Sequence, residues 1–125
     1  MNRYFLKLMT AYFVFLSAMT AMAQPNQSLT CQQTIAGAPF MSIEVTLDSQ
    51  GVPEGVKIDQ AGQIYRPNFE IAPCAPNERF HLILDADRPG QELEFIVYQT
   101  VNGVTKSELI NNHSPYMKKS PGTCP

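Results

Sequence analysis

Apolar residues that alternate with polar ones along several short segments constrain the fold of this chain most. In residues 41–47, Met41, Ile43, Val45 and Leu47 share one face, and small or polar side chains fill the positions between them. A period of two is typical of a strand with one buried face. Similar segments follow at 55–59, 63–66, 69–72, 79–85, 92–101 and 104–110, with turn residues between them. The pattern predicts an all-β fold, a small antiparallel meander, barrel or sandwich of about seven short strands.

Asn102-Gly103 between two valines is the sharpest local signal and predicts a β-hairpin with a two-residue turn. The turn sets the register of the flanking strands. On one face the expected pairs are Val101 with Val104, Gln99 with Lys106, Val97 with Glu108 and Phe95 with Ile110. On the other face they are Thr100 with Thr105, Tyr98 with Ser107 and Ile96 with Leu109. We expect the polar tip to project into solvent and the apolar base to be buried.

The first 23 residues have the order of a secretory signal peptide. Arg3 and Lys7 precede an apolar run, and Ala21-Met22-Ala23 offers small residues before a cleavage site. The run is shorter than the roughly 20 apolar residues of a membrane-spanning helix, so we expect no stable membrane insertion. The sequence therefore predicts cleavage between Ala23 and Gln24, a single β domain over 24–125, and a periplasmic or secreted location.

Cysteine usage fits an oxidising compartment, where disulfides are expected. The chain has three cysteines, so one intramolecular bridge leaves a spare thiol or a bond between molecules. We favour Cys31–Cys124, because both lie near the mature termini and termini are often close in space. Cys74–Cys124 is the alternative, because both lie in loops flanked by proline. Either bridge would tether the proline- and serine-containing tail at 111–125, in a monomer or a disulfide-linked dimer.

The charge balance argues against a nucleic-acid partner. The chain has 9 basic and 11 acidic residues, and loss of Arg3 and Lys7 leaves 7 against 11, a net charge of −4. Phosphate binding needs clustered Lys and Arg, and the mature sequence has only the Lys118-Lys119 pair.

The sequence predicts no metal site, no cofactor and no catalytic residues. His81 and His113 are the only histidines, and no close Cys or His pair has the spacing of a zinc site. Nucleophile elbows, phosphate-binding glycine loops and dinucleotide fingerprints are all missing from the sequence. The alternative is a small exported hydrolase that uses Asp85, Glu92 or Glu94 with His81.

The candidate binding residues are two tyrosines, a methionine and two lysines in the last third of the chain: Tyr98, Tyr116, Met117, Lys118 and Lys119. Aromatic side chains are enriched at recognition surfaces. In size and predicted architecture the mature domain resembles small periplasmic inhibitor barrels, a likeness of architecture alone. The favoured function is a non-catalytic binding or inhibitor-like module for a protein or a cell-envelope component. A structural protein of the envelope is a further alternative.

Overall fold

All regular structure in the described residues is antiparallel β-sheet, with no helix. The computed structural model describes residues 27–115 and 118–125. The predicted signal peptide with its Ala23–Gln24 cleavage site, and the candidate residues Tyr116 and Met117, lie outside them. The nine strands are β1 (Gln27–Ile35), β2 (Ala38–Leu47), β3 (Pro53–Gln60), β4 (Gln63–Tyr65), β5 (Phe69–Ala72), β6 (Glu78–Leu84), β7 (Leu93–Tyr98), β8 (Thr105–Ile110) and β9 (Lys119–Cys124).

The strands form one sheet in the order β4-β3-β2-β1-β9-β8-β7-β6-β5. Strands that follow one another in the chain are neighbours everywhere except at β4 and β5, which form the two edges. The first and last strands meet in the middle. The sheet curls into a half-barrel. This curvature brings Cα atoms of β3 and β5, which are far apart in the strand order, within 8 Å of each other. The chain is therefore an up-and-down meander whose break lies opposite its termini.

The concave face of the sheet carries the hydrophobic core. Alternate residues of β2, β3, β6 and β7 point inward, and the fully buried ones include Ile43, Val45, Leu82, Phe95 and Val97. Burial of this apolar surface is the main favourable term in folding. The alternation seen in residues 41–47 thus corresponds to the real inner face of β2.

The all-β prediction is confirmed, and the seven predicted strands correspond to β2 through β8. The two strands that were not predicted are β1 and β9. In β1, Gln33 occupies a fully buried inward position where the alternation calls for an apolar residue. The predicted tail at 111–125 contains β9, which was missed because Pro121 and Gly122 are residues that strands usually lack.

The predicted hairpin at Asn102-Gly103 is present, but the register predicted for its strands is wrong beyond the tip. Val101 pairs with Val104 as expected. Further down, Val97 faces Ser107 and Phe95 faces Leu109, one residue away from the expected partners Glu108 and Ile110. One extra residue lies on the first strand between Val97 and Val101, which is the geometry of a β-bulge. The bulge turns Ser107 and Leu109 inward and puts Glu108 on the outer face.

We call the junction of β1 and β9 the terminal seam. Gln32 pairs with Thr123 and Gln33 with Gly122, and Cys31 and Cys124 occupy the next opposed positions. The Cys31–Cys124 disulfide, predicted from the sequence, joins them with a Cα–Cα distance of 4.0 Å. Cys74 is a free, exposed thiol, so the alternative Cys74–Cys124 pairing is wrong. A disulfide is typical of proteins in oxidising compartments.

The terminal seam also holds a buried hydrogen-bond network around Gln33. The Gln33 amide donates to the Ser120 carbonyl at 2.8 Å, and the Ser107 hydroxyl donates to Gln33 Oε1 at 2.6 Å. The Ser120 hydroxyl donates to the Thr34 carbonyl at 2.9 Å. A buried amide is tolerated when its donors and acceptors are satisfied in this way.

We call the gap between β3–β4 and β5 the open seam. No strand pairing crosses it. The Tyr65 hydroxyl donates to the Asp85 carboxylate, the Asp85 amide donates to the Asn68 carbonyl at 2.7 Å, and Asn68 Nδ2 donates to Asp87 at 2.9 Å. Ile64 and Ile71 on the flanking strands are about half exposed (55% and 52%). Side-chain and loop contacts thus hold this junction without a ladder.

Among residues 27–115 and 118–125, no helix has the length and apolar character needed to cross a membrane.

Candidate functional site

A largely apolar, open groove lies beside the tip of the β7–β8 hairpin. We call it the hairpin groove and define it by Tyr98, Val101, Val104, Lys106, Glu108 and Pro121. Its volume is about 740 Å³, which is within the range of pockets that bind small ligands or side chains.

The bulge in β7 and the short turn together build this groove. The turn places Val101 and Val104 at the tip with 64% and 46% of their surface exposed. The bulge puts Glu108 on the outer face of β8, where it pairs with Pro121 of β9 and with Ile96 of β7. The tip projects into solvent as predicted. Its two valines form the apolar walls of the groove, and residues of β8 and β9 form its floor.

The Tyr98 side chain joins β7 to β8 within the groove. Its hydroxyl donates to Glu108 Oε1 at 2.9 Å. Partial burial, the hydrogen bond to Glu108, and the charges of Glu108 and Glu78 raise the pKa of Tyr98 to about 12. The phenol is therefore protonated across the physiological range and acts as a donor to the carboxylate.

The three sequence-predicted binding residues that the structure describes do not all come together. Tyr98 lies in the hairpin groove, whereas Lys118 and Lys119 line a smaller cavity of about 220 Å³ with Phe40 and Leu93. Both lysines are exposed. The two groups thus belong to different concave surfaces.

The groove residues that sequence reasoning missed are Val101, Val104, Lys106, Glu108 and Pro121. The two valines beside Asn102-Gly103 carried a usable signal, because apolar residues next to an exposed turn have no core to enter. Glu108 carried none, because its position depends on the bulge.

His81 lies between two carboxylates on the outer face of β6. Its Nε2 is 2.9 Å from Glu94 Oε1, and its Nδ1 is 3.7 Å from Glu78 Oε1. Of the acidic residues considered for a hydrolase, only Glu94 contacts His81. Asp85 accepts a hydrogen bond from Tyr65, and Glu92 pairs with His113 at 3.1 Å. His81 is not part of the hairpin groove.

The contacts of the Glu92 carboxylate keep it charged at lower pH than an ordinary glutamate carboxylate. Its own backbone amide and that of Gly90 donate to the carboxylate, and His113 lies beside it, so the pKa of Glu92 is lowered. Because Glu92 is held by these contacts, it is an anchor for the β8–β9 loop. Within the described residues, no group of three or more His, Cys, Asp or Glu side chains has the geometry to hold a metal ion.

Comparison with known proteins gives no relative: no protein-family model matches the chain, and searches of curated proteins and of solved structures find no similar protein.

Proposed function

We propose that the mature domain is a non-catalytic exported binding module that recognises a protein or a cell-envelope component through the hairpin groove. The observation that carries the proposal is the exposure of Val101 and Val104 at the hairpin turn, in the same groove as the half-buried Tyr98. Exposed apolar surface beside an aromatic residue is typical of recognition sites.

The scaffold supports the same proposal. The floor of the groove lies on β8 and β9, which are paired on both sides, and the Cys31–Cys124 bridge joins β9 to β1, so we expect the floor to change little on binding. A preorganised surface loses less conformational entropy when a partner binds. Small β domains with a disulfide are common among exported proteins, and the signal-like segment at 1–23 supports a periplasmic or secreted location.

Capture from an envelope extract tests the groove. Immobilised mature protein should retain a partner that the double variant Val101→Ser/Val104→Ser loses. The matched control is Val52→Ser/Ile64→Ser, which removes comparably exposed side chains (42% and 55%) elsewhere. Point substitutions are needed, because truncation of 111–125 would remove β9. Equal capture by both double variants and the wild type would exclude the groove as the recognition surface.

A further inference from the structure

The half-buried glutamates of this domain have basic partners, with one exception. Five glutamates of the described chain are half-buried, and four of them lie within 4 Å of a lysine or histidine nitrogen. The pairs are Glu44 with Lys57, Glu78 and Glu94 with His81, and Glu92 with His113. The exception is Glu108, which accepts a hydrogen bond from Tyr98 but forms no ion pair with any residue in 27–115 or 118–125.

The side-chain charges that act on Tyr98 are negative, and Lys106, which lines the same groove, forms no ion pair with Glu108 within the described residues. The charges that act on the Tyr98 hydroxyl are those of Glu108 and Glu78. A partly buried carboxylate without a compensating cation is unfavourable, because it has lost hydration and gained no opposite charge. This corner of the groove therefore favours a positive group from outside.

The other walls of the groove suit aliphatic carbon. Val101, Val104 and Pro121 offer apolar surface beside the Tyr98 ring. Arginine and lysine combine an apolar stem with a charged end, so one side chain can cover the valines and reach the carboxylate. The ring of Tyr98 adds attraction for a cation near its face.

We infer that the hairpin groove binds an extended polypeptide segment in which one basic residue lies between aliphatic residues, with the cation on Glu108 and the aliphatic side chains on Val101 and Val104. Lys106 on the rim repels a second positive charge, so the segment carries a single basic residue at this place. The inference rests on the proposed function, because it names the chemistry of the partner for the same groove.

Three short peptides test the inference: acetyl-Val-Arg-Val-amide, its citrulline analogue, which keeps the shape without the charge, and its glutamate analogue. Binding is followed by NMR through the methyl groups of Val101 and Val104. We expect the arginine peptide to bind about tenfold more tightly than the citrulline peptide, the effect of one charge-assisted contact. The glutamate peptide should bind more weakly than both.

Glu108→Gln should abolish the preference for arginine over citrulline, because it removes the charge but keeps an oxygen that accepts the Tyr98 hydrogen bond. Glu70→Gln is the matched control, an exposed glutamate on β5. It should keep the preference.

Each other outcome has a defined meaning. Equal binding of arginine and citrulline peptides, or tighter binding of the glutamate peptide, overturns the inference. If arginine amide or spermidine binds as tightly as the tripeptide, the groove takes a cation alone and the polypeptide occupant is wrong. If no peptide shifts the methyl signals at millimolar concentration while capture still depends on Val101 and Val104, the proposed function stands and the basic partner is wrong.

Discussion

The terminal seam and the open seam close the same sheet by different means. At the terminal seam, β1 and β9 share a ladder, a disulfide and a buried network around Gln33. At the open seam, β3–β4 and β5 share no ladder. A partly buried hydrogen bond joins Tyr65 to Asp85, and an exposed one joins Asn68 to Asp87. Buried, satisfied contacts resist opening more than exposed ones, because water replaces the exposed ones at little cost. We therefore expect the sheet to open first between β4 and β5.

Loss of the disulfide should have the largest effect on this contrast. The sequence separation of Cys31 and Cys124 is 93 residues, and a closed loop of that length corresponds to about 4.6 kcal/mol of stabilisation. Cys31→Ala/Cys124→Ala should lower the free energy of unfolding by about that amount in urea titrations. The control is Cys74→Ala, which changes an exposed, unbonded thiol. Similar losses in both variants would mean that the bridge is not what holds the terminal seam.

Gly122→Ala should come next. A Cβ at this position would lie 2.3 Å from Gln33 Oε1 and 2.4 Å from the Gln32 carbonyl oxygen. Because the second contact is with backbone, the strands must move apart, at a cost of about 3 kcal/mol. Gly55→Ala on β3 is the matched control, since its Cβ would meet Thr46 at an ordinary 3.8 Å. A midpoint of denaturation for Gly122→Ala equal to that of Gly55→Ala would contradict the close approach of β1 and β9.

Gln33→Leu should reduce the free energy of unfolding by about 2 kcal/mol, because it leaves the Ser107 hydroxyl and the Ser120 carbonyl without their partner. A double-mutant cycle with Ser107→Ala measures the network itself. The losses of the two single variants should sum to more than the loss of the double variant, because the two groups share one hydrogen bond. Strict additivity would show that Gln33 and Ser107 act independently.

Tyr65→Phe should have the smallest effect at neutral pH, because it removes one partly buried hydrogen bond from a side chain that is itself exposed. The bond to Asp85 and the charge of Asp85 raise the pKa of Tyr65 above 10.0. A raised folded-state pKa gives stability that is complete below the unfolded-state pKa and is lost as pH rises through the folded-state value. The difference between wild type and Tyr65→Phe in urea titrations should therefore vanish at alkaline pH.

The same titration with Tyr98→Phe separates the two tyrosines. The pKa of Tyr98 is raised to about 12, so the stability that this residue contributes should decline only between the ordinary tyrosine pKa and that value.

The contrast between the seams fails if the loss of stability in Tyr65→Phe is as large as that in Gln33→Leu, or if it persists at alkaline pH.

Sequence patterns predicted β2 through β8, because each of those strands has a clear alternation or a strong turn beside it. They failed at the terminal seam, where Gln33 replaces an apolar residue and Pro121 and Gly122 interrupt the pattern of β9. These unusual residues complement each other across the terminal seam, because the absence of a side chain at Gly122 leaves the space that Gln33 fills. Long-range complementarity of this kind has no local signature.

The hairpin groove shows the same limit. The Asn102-Gly103 turn predicted the exposed tip and its first pair. The bulge between Val97 and Val101 set the rest of the register, and with it the exposure of Glu108 on the outer face. A one-residue change in register exchanges the two faces of a strand. The candidate site therefore depended on a feature that turn chemistry alone does not specify.

The pairing of the first strand with the last has a consequence for biosynthesis. A ribosome releases Cys31 first, then Cys74, and Cys124 last of the three. A chain that oxidised as it emerged would therefore join Cys31 to Cys74 before the proper partner existed. Recovery then requires attack of the Cys124 thiolate on Cys31 of that bond, which releases Cys74 as a thiol. The yield of correctly bridged protein should thus depend on disulfide isomerase activity, and Cys74→Ser should remove that dependence.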